Sequence, residues 1–219
     1  MRFEEAVRRL EPLPDDLPDG PAALIPVLAA TGSTHARPRW DPEDDSARPA
    51  AVLVLVFPDE EGDARLILIE RVDRGGHHSG EVSFPGGRAE PGDDDAIATA
   101  LREAAEEVGL DAEAAGVRVV GSLPTRWIPV SNYRVTPVVA VAARRPALAA
   151  QPTEVATILE APVAAFLPDG ELVQVERDIR GYGLRYAAYP VDGLDVWGMT
   201  AMILGGIGAW LGRDLADGA

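Results

Sequence analysis

The stretch Phe84–Leu110, FPGGRAEPGDDDAIATALREAAEEVGL, decides how this chain is read. From Asp94 to Val108 the apolar residues Ala96, Ile97, Ala100, Leu101, Ala104, Ala105 and Val108 recur at helical spacing, and Gly109 is placed to cap the C-terminus. On such a helix Glu103 precedes Glu106 by three residues and Glu107 by four, so all three carboxylates project toward one patch. Like charges at that spacing repel. Arg102 can offset one of them, and the simplest compensation for the others is a hard divalent cation, for which carboxylate oxygens are natural ligands. The competing reading of EAAEE taken alone is a solvated acidic face. The Gly-rich turn just upstream favours a site, because it can bring backbone close to phosphates and metal and it enters the very helix that carries the acids.

Around this stretch, 219 residues with 47% apolar content can bury one substantial core. A formal net charge of -16 argues against broad binding to nucleic acid or anionic membrane, since both require a positive surface. The absence of cysteine excludes disulfides, thiolate metal sites and a Cys nucleophile. All 20 basic residues are Arg, which genome composition explains more simply than phosphate binding does. No apolar run approaches the ~20 residues of a membrane span, and the opening MRFEEAVRRL is too charged for a signal peptide. The expectation is a cytoplasmic protein.

Along the chain, FEEAVRRL reads as a short helix and the Pro- and Asp-rich remainder of residues 1–49 as an arm without chemistry, leaving 50–219 as the domain. AAVLVLVF and ARLILIERV flank an acidic turn and predict a hairpin, and EVSF predicts a short strand. VRVVGSL and VTPVVAVA predict further strands, TEVATIL or PVAAFL a helix, ELVQVERD and LRYAAYP a second hairpin, and TAMILGGIGAWLG a closing helix. Without regular βαβ alternation, the order favours an α/β fold with a mixed sheet flanked by helices.

Gly87, Arg102, Glu103, Ala104, Glu106, Glu107, Gly109 and Leu110 resemble the Nudix box, G-x5-E-x7-R-E-U-x-E-E-x-G-U with U aliphatic. Counted forward from Gly87 the first acid falls on Asp93; counted back from Arg102 it falls on Asp94, so the loop is one residue longer and carries Asp for Glu. The longer box, with LILIERVDRGGHHSGEVSFPGG before it, is similar to the coenzyme A pyrophosphatases of that superfamily. Leu68, Arg71, Gly80 and Phe84 to Gly87 match their signature, while Val72 replaces Ser and Gly76 replaces a second Arg. RVTPVVA and GLDVWGMTA also resemble this subfamily.

The resemblance implies the Nudix fold, an α/β/α sandwich around a mixed sheet, and hydrolysis of a nucleoside diphosphate linked to another moiety. It further implies that Glu103, Glu106 and Glu107, with the Gly86 carbonyl, hold Mg2+ or Mn2+ and that Arg102 orients a glutamate of the cluster. Glu106 is assigned to catalysis as well as to metal. Glu154 is the candidate base from outside the box, with Glu160 in reserve, and Arg71, Gly80, Phe84 and Gly87 are expected at the substrate. Arg74, on a loop made pliable by Gly75 and Gly76, is expected to replace the missing second arginine at a phosphate. His77, His78 and Trp127 have bland readings as loop residues beside ligand readings, and Trp197 fills the core or a dimer interface. CoA or its derivatives are the expected substrates. ADP-ribose, NADH or dinucleoside polyphosphates are the alternative, and a non-catalytic nucleotide sensor is a third. The partners expected are a small nucleotide, no nucleic acid and no membrane, with a homodimer allowed.

Overall fold

The apolar run after Pro49 lacks the alternation of a half-buried strand because both of its faces are covered. In the computed structural model, which describes residues 1–30, 46–73, 80–128, 131–179 and 182–213, this run is β2 (Arg48–Pro58), buried almost throughout from Ala50 to Phe57. It pairs antiparallel with β3 (Ala64–Arg71) across the acidic turn and parallel with β8 (Tyr133–Ala142). The sheet is therefore mixed, as expected. Among the described residues it has eight strands in the order β4-β3-β2-β8-β6. Here β4 is Val82–Ser83 and β6 is Val117–Ser122. Three more strands pair onto this path: β5 (Gly86–Arg88) on β2, β7 (Arg126–Ile128) on β8 and β9 (Val155–Pro162) on β3.

The helix predicted from the box is α2 (Ala96–Val108). Asp95 caps its first turn by accepting from the Ala98 N–H at 2.8 Å, and Gly109 ends it in the left-handed region at φ 65°. Ala100, Ala104 and Val108 pack on Ala51, Leu53, Leu55 and Phe57 of β2, Ile67 and Ile69 of β3, and Val138 and Ala140 of β8. The alternate residues Val54, Val56, Leu66, Leu68, Val139 and Val141 are also buried and face the other side of the sheet. α1 (Phe3–Leu10) packs on β2 and β3 through its buried Ala6 and Leu10. α3 (Ala112–Ala115) is a single turn capped by Asp111.

These elements lie in the first of two compact units, Met1–Asp16 with Asp41–Val163; the second is Leu17–Trp40 with Ala164–Ala219. That partition differs from an arm over 1–49 and a domain over 50–219. The first sixteen residues join the unit holding β2, and Val27–Leu28 forms β1 on the sheet of the second.

In the second unit, β11 (Tyr182–Val191) pairs with β1, with β10 (Val173–Ile179) as the expected hairpin, and with β12 (Leu194–Val196). The closing helix is α4 (Gly198–Gly212). A Cβ at Gly208 would collide with the Phe166 carbonyl, so the glycines that weaken this helix intrinsically also let it approach backbone closely. Trp197 stacks on Tyr186 with ring centroids 4.9 Å apart.

TEVATIL is a strand, not a helix. Leu159 and Ala161 are buried while Pro162 is exposed and Ile158 and Glu160 are half-buried, the two-residue alternation of β9 against β3; it breaks at exposed Ala156 and Thr157, where the register of the pair shifts. PVAAFL supplies only a 3-10 turn at Val163–Phe166.

Candidate active site

Turn and helix meet through two glutamates. β5 lies antiparallel to β2 with Gly87 opposite Ala51, and Ala51 packs in the α2 core. Gly87 thus faces α2. A Cβ there would sit 2.5 Å from the carboxyl carbon of Glu103, so glycine is what lets this carboxylate lie on the strand. One turn further along, Glu107 is 1% exposed; its Oε2 accepts the Gly86 N–H at 2.8 Å and its Oε1 accepts from Arg71 Nη1 at 3.1 Å. Burial pushes the Glu107 carboxyl up to about 7 against the pull of Arg71 and the Gly86 N–H, with Glu103 and Glu154 adding repulsion. Glu103 is also raised, first by burial; Arg102 opposes the shift, and Glu106 and Glu154 reinforce it.

Arg102 organises the outer side of the cluster. Its Nε and Nη2 grip the two carboxylate oxygens of Asp93, both at 3.0 Å, and Nη1 lies 3.1 Å from both Glu103 and Glu106. Nη2 also donates to the Arg88 carbonyl at 2.9 Å, tying the helix to the end of β5. This settles the choice between the two first acids. Asp93 is the partner of Arg102, and Asp94 is exposed. Asp93 also accepts the Glu90 N–H at 2.8 Å and the Thr99 hydroxyl at 2.9 Å, and the Arg102 guanidinium holds its carboxyl well below the usual range. The extra residue of the loop lies between Asp93 and Arg102. Thr99 escaped sequence reasoning; a hydroxyl on the apolar face of a helix was its only signal.

Glu154 stands on an exposed turn at the start of β9. The turn is anchored by the Gln151 N–H on the Glu107 carbonyl at 2.8 Å, and the Val72 N–H donates to the Glu154 carbonyl at 2.9 Å. Arg71 pairs with Val155 across β3 and β9, and the charge of Glu154 acts on both Glu103 and Glu107. Glu160 is opposite Ile67, farther along β3, and is held by Arg145 at 3.0 and 3.1 Å.

The remaining expectations divide. Gly80 has φ 68° and donates its N–H to the Arg71 carbonyl at 3.1 Å. The ring of Phe84, expected at the substrate, is 2% exposed and packs in the interior. Gly86 meets the cluster through its N–H. Trp127 donates its indole N–H to Asn132 at 3.0 Å within the β7-β8 hairpin. Arg74, His77 and His78 lie outside the described residues.

Hard carboxylate oxygens with raised proton affinity and mutual repulsion have the donor chemistry of a divalent-cation site. Among the described residues, however, no three such groups converge on one point. Arg71 pairs with Glu107, and Arg102 bridges Glu103 and Glu106.

A mixed sheet carrying a capped carboxylate helix, entered through a glycine turn, has the donor chemistry expected of a domain that handles phosphate and cations. The NUDIX domain family matches residues 47–176, and the chain belongs to that family. It is 39% identical over 170 residues to Nudix hydrolase 15, mitochondrial, of Arabidopsis thaliana, covering 75% of this chain and 59% of the relative. With an uncharacterized Nudix hydrolase, NudL, of Citrobacter koseri it shares 36% identity over 168 residues, 77% of this chain and 85% of the relative. The chain thus spans under two thirds of the plant protein's length. A crystal structure of a Nudix hydrolase from M. smegmatis aligns at 24% identity with a TM-score of 0.46, covering 54% of this chain and 73% of that one.

Proposed function

We propose that this protein is a Mg2+- or Mn2+-dependent pyrophosphohydrolase that cleaves CoA or CoA derivatives into 3',5'-ADP and 4'-phosphopantetheine or its acylated form. One observation carries the reading: buried Glu107 and half-buried Glu103 lie against the two glycines of the turn, where their repulsion is costly unless a cation completes the site. Glu103, Glu106 and Glu107, with the carbonyl oxygen of Gly86, would hold the metal. Bound there, it supplies neutralisation of the phosphate oxygens and favours ionisation of water. Arg102 positions Glu103 and Glu106, and its grip on Asp93 keeps it from drifting into the site. Glu154 is the proposed base, taking a proton from the attacking water at the rim of the cluster. Arg71 and Gly80 support the CoA assignment, because two residues of the upstream signature are joined to each other and, through Arg71, to Glu107.

Among the described residues no helix is long and apolar enough to cross a membrane, and a cytoplasmic location belongs to the same proposal. The test is Mg2+-dependent hydrolysis of CoA, ADP-ribose, NADH and diadenosine polyphosphates, with products identified by mass. Preferential release of 3',5'-ADP from CoA is expected. A preference for ADP-ribose or dinucleoside polyphosphates would move the protein to the broader activity.

A further inference from the structure

Glu107 has one oxygen that cannot change partner and one that can. Oε2 takes the Gly86 N–H, which is fixed because β5 is paired to β2. Oε1 takes Arg71 Nη1 at 3.1 Å, and the Arg71 side chain is still 33% exposed. A guanidinium and a divalent cation cannot share that oxygen without strong repulsion at close range. The arginine sits where the register of β3 against β9 shifts, between Glu70 and Arg71. Its backbone is held on both sides, the N–H by the Glu81 carbonyl and the carbonyl by the Gly80 N–H, each at 3.1 Å. Only its long side chain need move.

We propose that Arg71 exchanges partners: it is the counter-ion of Glu107 in the metal-free protein, and a divalent cation displaces it from Oε1 onto a phosphate of the incoming substrate. The metal then binds before the substrate, and the released guanidinium is a charge-assisted donor already at the rim of the site. The inference rests on Glu107 being a metal ligand, as proposed above. Arg71 thereby acts in turn as a positioning residue for Glu107 and as a contact to substrate.

The experiment titrates chelator-treated wild type, Arg71→Gln, Arg71→Lys and Glu107→Gln with Mn2+, reading bound ion by electron paramagnetic resonance, and measures ADP binding with and without saturating Mn2+. Loss of an exposed competitor is expected to tighten Mn2+ binding by Arg71→Gln about fivefold, with Arg71→Lys between it and wild type. In Mn2+, ADP is expected to bind wild type about tenfold tighter than Arg71→Gln, and without metal the two are expected to bind it alike. Melting in chelator is expected to occur at a lower temperature for Arg71→Gln. Mn2+ binding by Arg71→Gln that is no tighter than wild type would overturn the exchange, as would an equal ADP difference without metal. Wild-type Mn2+ affinity in Glu107→Gln would instead overturn the metal-ligand reading beneath it.

Discussion

Arg102 shows how much one side chain can decide. It binds Asp93 through two nitrogens, reaches Glu103 and Glu106 through a third, and fastens the Arg88 carbonyl. Counting along the chain left the first acid of the box open between Asp93 and Asp94, because an inserted residue shifts the count from one side and not from the other; the path of the loop puts Asp93, not Asp94, on Arg102. Asp93→Asn is expected to lower both melting temperature and kcat, whereas exposed Asp94→Asn leaves both near wild type. Equal effects of the two substitutions would contradict the assignment. Glu107 gives a second prediction. Its folded-state pKa of about 7 lies above the ordinary 4.5, so between those values the folded chain holds a proton that the unfolded chain has lost. The metal-free protein should therefore lose stability as pH rises from about 5 to 7. That contribution is expected to vanish in Glu107→Gln, as read by urea unfolding across this range.

At the scale of elements, α2 was legible because its apolar spacing, its cap and its glycine stop all agree, and the structure starts it within two residues of the reading. β9 was not, because Glu154 and Glu160 bracket a segment whose apolar residues suit either period; its pairing with β3 settles the matter. The three-residue strands β5 and β7 are too short for any pattern and exist because β2 and β8 offer them edges. Yet β5 sets the site. Gly87→Ala would drive a methyl group into the Glu103 carboxylate, the far end of a flexible side chain, so the fold should survive while activity falls at least about tenfold from misplacement. Wild-type activity in this variant would show that Glu103 does not need the strand. On the turn before β9, Glu154→Gln is expected to reduce kcat with unchanged Mn2+ affinity, and the deficit should shrink at high pH, where hydroxide replaces the base. A deficit constant with pH would remove Glu154 from that role.

Across the whole molecule, the mixed sheet followed from the order of the elements, but its parallel β2-β8 pair and the two units did not, since residues far apart in the chain build each of them. Within the first unit, Glu103 and Glu107 lie where α2 meets β5, Arg71 of β3 is bonded to Glu107, and the charge of Glu154, on the turn before β9, acts on both glutamates. The account therefore stands on Glu107 as a metal-binding carboxylate, and the most direct measurement is the Mg2+ dependence of CoA hydrolysis in wild type and Glu107→Gln. Turnover that requires Mg2+ and falls by at least about 10² in the variant, roughly 3 kcal/mol of transition-state stabilisation, is the predicted result. Undiminished, Mg2+-dependent turnover by a folded Glu107→Gln protein would contradict it.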